Sequence, residues 1–183
     1  MKKETKKEIF SWIWTLAVAF VIALFLNHYI IVNANVPTGS MENTIQPGDR
    51  LIGFRLSYQK EGPKRGDIII FNYPVDESET YIKRVIGLPG DTVACKGSGE
   101  PITVNGKPID ESAYLKSGVN PSDSPFSVTV TDGNVFVLGD NRSNSRDSRY
   151  HLDDGNNGLV PYDDIQGVAL FRFWPFTRIG ILN

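Results

Sequence analysis

From Ile9 to Val32 the chain reads "IFSWIWTLAVAFVIALFLNHYIIV", without one Asp, Glu, Lys or Arg. At about 1.5 Å per residue this run makes roughly 36 Å of helix, enough to cross a bilayer. Trp12, Trp14 and Tyr29 stand near its two ends, where amphipathic rings favour the membrane–water interface, and His28 reads as an interfacial residue rather than a ligand. Ahead of it "MKKETKKE" sets four lysines against two glutamates, a bias that predicts a cytoplasmic N-terminus. A cleaved secretory signal would share this beginning, and "VNA" at Val32–Ala34 has the small residues of a cleavage site. The apolar run exceeds an ordinary signal-peptide core, and Pro37 follows closely, so an uncleaved anchor is expected. The expected division is residues 1–8 as a cytoplasmic N-terminus, 9–32 as a transmembrane helix, and 33–183 as an extracytoplasmic domain.

The remainder has ordinary globular composition within a chain of 183 residues, enough for one domain. Setting the first eight residues aside reduces the chain's 19 basic residues to 15 and its 21 acidic residues to 19. That mildly negative balance argues against nucleic acid as a partner. Cys95 is the only cysteine, so no internal disulfide forms, and it reads as a small semi-buried residue. With His28 and His151 the only histidines and no Cys cluster, a zinc site of the usual kind lacks ligands. No metal or other cofactor is expected. A Ser-His-Asp triad would have to rest on His151, within the turn-like "YHLDDGNNG", and is not expected either.

Beyond Pro37 the hydrophobic runs are short, β-branched or aromatic, and bounded by Gly, Pro, Asn and Asp: "RLIGFRL", "DIIIFNY", "TYIKRVIG", "DTVAC", "FSVTVT", "NVFVLG" and "GVALFRFW". Such runs predict strands. Asn105-Gly106 in "ITVNGKPI" is a hairpin signal, Asp132-Gly133 marks another turn, and no helix-length amphipathic pattern follows residue 44. "ESAYLKSGVNPSDSP", Glu111 to Pro125, reads as an exposed excursion. There is no internal repeat. The fold class expected is mostly β: one N-terminal transmembrane helix followed by a single antiparallel β-rich domain. The aromatic "FRFWPF", Phe171 to Phe176, suits either core packing or a membrane-facing surface.

Two positions attract chemical attention. Ser40 follows Gly39, whose missing side chain permits a sharp turn and close approach of another chain; taken alone, Ser40 also reads as a turn or helix-capping residue. In "YIKRVIGLPGD", strand alternation places Lys83 on the face of Tyr81 and Val85, with Ile82, Arg84 and Ile86 opposite. An amine among apolar neighbours loses charge more readily, which suits a general base where histidine is absent. A lysine whose tip snorkels to water is the competing reading. A serine activated by neutral lysine needs neither metal nor cofactor.

"VPTGSMENTIQPGDR", "RGDIIIF", "YIKRVIGLPGD" and "VLGDNRSNSRDSR", in that order, resemble the successive conserved blocks of bacterial type I signal peptidases. The resemblance spans most of the domain. It implies a membrane-anchored Ser/Lys endopeptidase that cleaves signal peptides from exported preproteins after A-x-A-like sites at the outer face of the cell membrane. Its partners would be those preproteins and the lipid bilayer, with the export machinery involved only by substrate delivery. By position, Ser40 corresponds to the nucleophile and Lys83 to the general base. Thr38 and the Ser40 backbone N–H correspond to the oxyanion hole. Ser145 corresponds to a serine that hydrogen-bonds and orients the lysine, and Asp147 with Arg149 to a pair supporting the walls of the site. Asp140 and Asn141 read as turn residues shaping the same region.

One departure stands out: "DSRYHLDDGNNGLVP" carries an insertion before "GLVP" where the family runs quickly on. Its expected effect is on the rim of the site. Rival readings fare worse. "SYQK" at Ser57–Lys60 and "KSG" at Lys116–Gly118 imitate penicillin-binding-protein motifs but lack S-x-N between them and a helical setting. The self-cleaving SOS repressors share a related Ser/Lys fold but carry a DNA-binding module where this chain has its apolar run. Eukaryotic-type signal peptidases place histidine at the position of Lys83. The non-enzymatic alternative is a membrane-tethered, signal-peptide-binding paralogue without turnover.

Overall fold

The computed structural model describes residues 2–57, 62–74 and 76–182. Residues 58–60 of the "SYQK" stretch lie outside them. The chain opens with α1 (Lys2–Tyr29) and continues through β1 (Ile31–Asn35), β2 (Arg50–Phe54), β3 (Ile68–Tyr73), β4 (Asp76–Gly87), β5 (Thr92–Cys95) and β6 (Thr103–Val104). There follow β7 (Lys107–Pro108), β8 (Phe126–Thr129), β9 (Asn134–Leu138), β10 (Val160–Pro161), β11 (Ile165–Trp174) and β12 (Gly180–Ile181). Past Tyr29 the helical pieces among the described residues are short 3-10 turns.

The apolar run forms a helix, but the helix stops before the run does. Ile31 and Val32 open β1, pairing with Phe54 and Gly53. Their β-branched side chains favour extended backbone, and Val32, 3% exposed, enters the core. From Lys6 to Tyr29 every residue is exposed, Phe10 and Trp12 to 69% and 70%, so this apolar surface finds no partner among the described residues. The helix is long and apolar enough to cross a bilayer.

The strands form two antiparallel sheets. The larger runs β1-β2-β11-β3-β4-β9-β10, with β12 also on β11, and the smaller runs β7-β6-β5-β8. Each apolar run read above as a strand contains one. The hairpin β6–β7 turns on Asn105 and Gly106, at φ +53° and +75°. Two successive left-handed residues are what a tight two-residue turn needs to match the twist of its strands.

Apolar alternation divides the core. Met41, Ile45, Leu51, Ile70 and Ile82 bury one side of the large sheet; Ile69, Val85, Val137 and Val168 bury the other. Phe136 and Leu138 of β9 pack with Val93, Val104 and Phe126 of the small sheet and join the two sheets into one body. Cys95 lies in this junction, 5% exposed and unpaired.

The segment 111–125 is largely exposed, as expected of an excursion, but it is tied down at three points. Glu111 is buried and ion-paired with Arg142, Ser122 is 3% exposed, and the Lys116 amide donates to the Asp140 carbonyl at 3.0 Å. Polar composition reports only that a segment tolerates water. Here its carboxylate satisfies a buried guanidinium, so burial is compensated. The aromatic segment Phe171 to Phe176 is exposed at its end: Trp174 and Phe176, 42% and 73% accessible, meet edge-to-face at 4.8 Å, near Ile179 and Ile181 in the chain.

Candidate active site

Ser40 occupies a tight turn between β1 and β2. Glu42 N donates to Gly39 O at 3.2 Å and Ile45 N to Met41 O at 2.8 Å, while Met41 and Ile45, 1% and 0% exposed, anchor the turn in the core. The serine hydroxyl is thereby placed by two apolar side chains. A second clamp comes from the segment after β9: Asn141 N donates to Ser40 O and Asn141 Nδ2 to Gly39 O, both at 3.0 Å. Asn141 is therefore more than the turn residue it seemed; its two amides hold the backbone of the serine turn.

Lys83 comes from β4, in register with Ile69 of β3. It is 4% exposed, and its Nζ lies 2.9 Å from Ser40 Oγ and 3.1 Å from the Ile82 carbonyl. Burial pushes the ammonium down to about 8, against a smaller upward pull from Asp147 and Asp140. Each of those carboxylates has its own cation. Arg84 donates to Asp140 through Nε at 2.9 Å and Nη2 at 2.8 Å, and Arg149 donates to Asp147 at 2.8 and 2.9 Å. The guanidiniums spend the negative charge that would otherwise restore the lysine's proton affinity.

The residues singled out from the sequence converge here. Thr38 Oγ1 is 3.4 Å from Ser40 Oγ. Asp147, 2% exposed, also accepts from Gly139 N at 3.0 Å, so its pairing with Arg149 is interior rather than a surface ion pair. Ser145 is buried against the same turn, but the bond expected from it to Lys83 is not made. The amine is directed to Ser40 and the Ile82 carbonyl, and Ser145 Oγ has no hydrogen-bond partner among the described residues. Gly139 explains the crowding: a Cβ there would fall 2.2 Å from Ser145 Oγ and 2.5 Å from Ser40 O.

Arg84 and Asp140 were not read as site residues. Arg84 crosses to the opposite side of β4 from Lys83, binds Asp140, and lies with its guanidinium carbon 4.3 Å from the Tyr114 ring centre. Thr44 completes the group by donating to Asp140 Oδ2 at 2.5 Å. Adjacency of Arg84 to Lys83 and of Asp140 to the last motif was the available signal.

Ser40 and Lys83 open onto a cleft of about 600 Å³ bordered by Pro37, Thr38, Tyr81, Ser145 and Arg146. Its lining also takes in β4 from Glu79 to Lys83 and the segment 143–146. Among the described residues no group of three or more His, Cys, Asp or Glu side chains is arranged to hold a metal. The local chemistry is a hydroxyl beside an amine whose proton affinity burial has lowered, to a pKa of about 8.

Residues 9–174 match the family described as signal peptidase, peptidase S26. The chain is 38% identical to a probable signal peptidase I-2 of Synechocystis over all of this chain and 82% of that protein. It is 35% identical to signal peptidase IB of Staphylococcus aureus over 94% of this chain and 93% of the relative. A crystal structure of a signal peptidase I from Enterococcus faecalis is 31% identical, with a TM-score of 0.46, over 61% of this chain and 98% of its own. A match across the apolar helix and both sheets, at these identities, makes the chain a member of the signal peptidase family, peptidase S26.

Proposed function

We propose that this family member is a membrane-anchored type I signal peptidase working through a Ser40/Lys83 dyad. The observation that carries the reading is the 2.9 Å contact between a buried lysine amine and a serine hydroxyl on one cleft. Neutral Lys83 takes the Ser40 proton as Oγ attacks the scissile carbonyl. Thr38 Oγ1 and the Ser40 N–H donate to the oxyanion. The Lys83 ammonium then protonates the leaving amine, and the acyl-enzyme is hydrolysed by water that Lys83 deprotonates in turn. The Ile82 carbonyl steadies the lysine through this cycle, and the Asp147–Arg149 pair holds the wall behind it.

The substrate enters as an extended strand between β4 and the segment 143–146, with small side chains at alternate positions facing the cleft. Residues 9–29 cross the bilayer with the lysine-rich end in the cytoplasm and the β domain, from residue 33, outside. The apolar rim of Trp174, Phe176, Ile179 and Ile181 faces lipid. A preprotein held by its own signal helix then meets the nucleophile at high effective concentration.

The test is incubation of full-length protein in detergent, beside Ser40→Ala and Lys83→Ala, with a preprotein bearing an A-x-A site, and product mapping by mass spectrometry. Cleavage after that site by wild type alone is expected. Equal cleavage by all three removes the dyad. Binding without cleavage by wild type, across several preproteins, makes the chain a signal-peptide-binding paralogue.

A further inference from the structure

The inserted stretch after Arg149 is a built turn. The Asp154 carboxylate accepts from the amides of Asn156 and Gly158, both at 2.9 Å, and Asn156 Nδ2 donates to the Leu159 carbonyl at 2.9 Å and to Asn134 at 3.2 Å. Leu159, 2% exposed, plugs it into the core. Ahead of this frame the 3-10 turn Ser148–His151 delivers His151 to the large sheet. The hydroxyl of Tyr73, the last residue of β3, lies 2.5 Å from His151 Nδ1 and 3.0 Å from Nε2, with ring centres 4.7 Å apart. Tyr73 in turn stacks on Tyr81 of β4, 4.9 Å between centres and 17° from parallel. The Tyr81 ring centre is 5.2 Å from Lys83 Nζ. A continuous column thus joins the inserted turn to the lysine.

We propose that His151 is a positioning residue for Lys83: through the Tyr73 hydroxyl it fixes the Tyr73–Tyr81 stack, and the Tyr81 ring so held keeps water from the lysine amine. This rests on the Ser/Lys reading above. Tyr81 stands on the cleft wall, and the bond its hydroxyl gives, to Glu79 at 3.1 Å, runs to an exposed side chain. Phe71 touches it only edge-on, at 6.1 Å. The Tyr73 face is therefore what sets the ring's tilt, and His151 is what holds Tyr73. Around His151 stand Tyr73, Asp154, Arg146 and Asp147, and burial lowers the imidazole's proton affinity. Around Lys83 stand Ser40, Tyr81, Asp147 and Asp140, and burial is the leading cause of its depressed pKa. Loosening the column admits water and returns Lys83 toward its ordinary basicity.

The experiment measures kcat/KM for preprotein cleavage from pH 6 to 10 with the full-length protein in detergent. It compares wild type, His151→Ala, Tyr73→Phe, the double variant and Lys83→Ala. Tyr73→Phe keeps the stacked ring and removes only the hydroxyl, so it reports the latch even if His151→Ala folds poorly. The expected result is a basic limb moved up by about half to one pH unit in both single variants. That is about 3- to 10-fold lower kcat/KM at pH 7.5, recovered near pH 10. The double variant should be no worse than the poorer single one, because both cut the same link. Limbs that superimpose on wild type, or a loss equal at every pH, overturn the proposal while leaving the dyad intact. A wild-type limb that persists in Lys83→Ala overturns the dyad and this inference together.

Discussion

Replacing Lys83 with methionine should destroy activity and stabilise the fold, and the sign of that second effect depends on pH. Burial depresses the lysine's pKa from its ordinary 10.5 to about 8. At about 1.4 kcal/mol per unit, holding this amine in the folded state costs about 3 kcal/mol wherever both states would carry the proton. Between pH 8 and 10.5 the unfolded chain binds more protons than the folded one, so wild-type stability rises with pH there. The cost is full below pH 8 and gone above 10.5. Methionine has similar length, no charge, and suits an irregular apolar site. It also forfeits the contacts to Ser40 Oγ and the Ile82 carbonyl, returning about 1–2 kcal/mol. The net gain at pH 7 is about 1–2 kcal/mol, or about 2–8 °C in Tm for a chain of this size. Thermal unfolding of both full-length proteins in one detergent, at pH 7, 8.5 and 10.5, should show the variant's advantage shrinking and then reversing. A Lys83→Met protein that melts below wild type at pH 7, by a margin unchanged across the series, would refute the reasoning that burial holds this amine down.

Cleavage by wild type should rise about tenfold from pH 7 to 9, as a base of pKa about 8 goes from about one-tenth to nine-tenths neutral; kcat/KM against pH checks this, and a flat profile counts against Lys83 as base. Asp147→Ala removes the partner of a largely buried Arg149 and the acceptor for Gly139 N; a loss of about 3–5 kcal/mol, read as a fall in Tm of about 6–20 °C, is expected. Gly139→Ala drives a methyl against the Ser40 carbonyl and Ser145 Oγ, so Tm should fall by the equivalent of about 1–3 kcal/mol. Labelling of Ser40 by an acylating inhibitor should slow in that variant even at temperatures where it is fully folded.

Much of this architecture is legible in the sequence. The strand runs were marked by β-branched residues bounded by turn formers, and each holds a strand because local propensity and sheet burial point the same way. The end of α1 was misjudged because apolarity alone does not separate helix from buried strand: Ile31 and Val32 continue the hydrophobic run yet belong to β1. The excursion 111–125 is exposed along most of its length, as its composition predicts, and what composition hides is its anchor. Its acidic and hydroxyl residues look solvated in one dimension, but Glu111 meets Arg142 across a separation of 31 positions.

What the sequence by itself determined is what short-range physics and composition control: a charge-free helix of spanning length, a β-rich domain, a hairpin at Asn105-Gly106, and motifs that mark Ser40 and Lys83. What only the tertiary structure decided is who meets whom. Lys83 reaches Ser40 across 43 positions, Arg84 reaches Asp140 across 56, and His151 reaches Tyr73 across 78. Those pairings follow from sheet order and register, which place β3, β4 and β9 side by side. The lysine's altered basicity follows in turn from the water that this packing excludes, and no local pattern of residues encodes that.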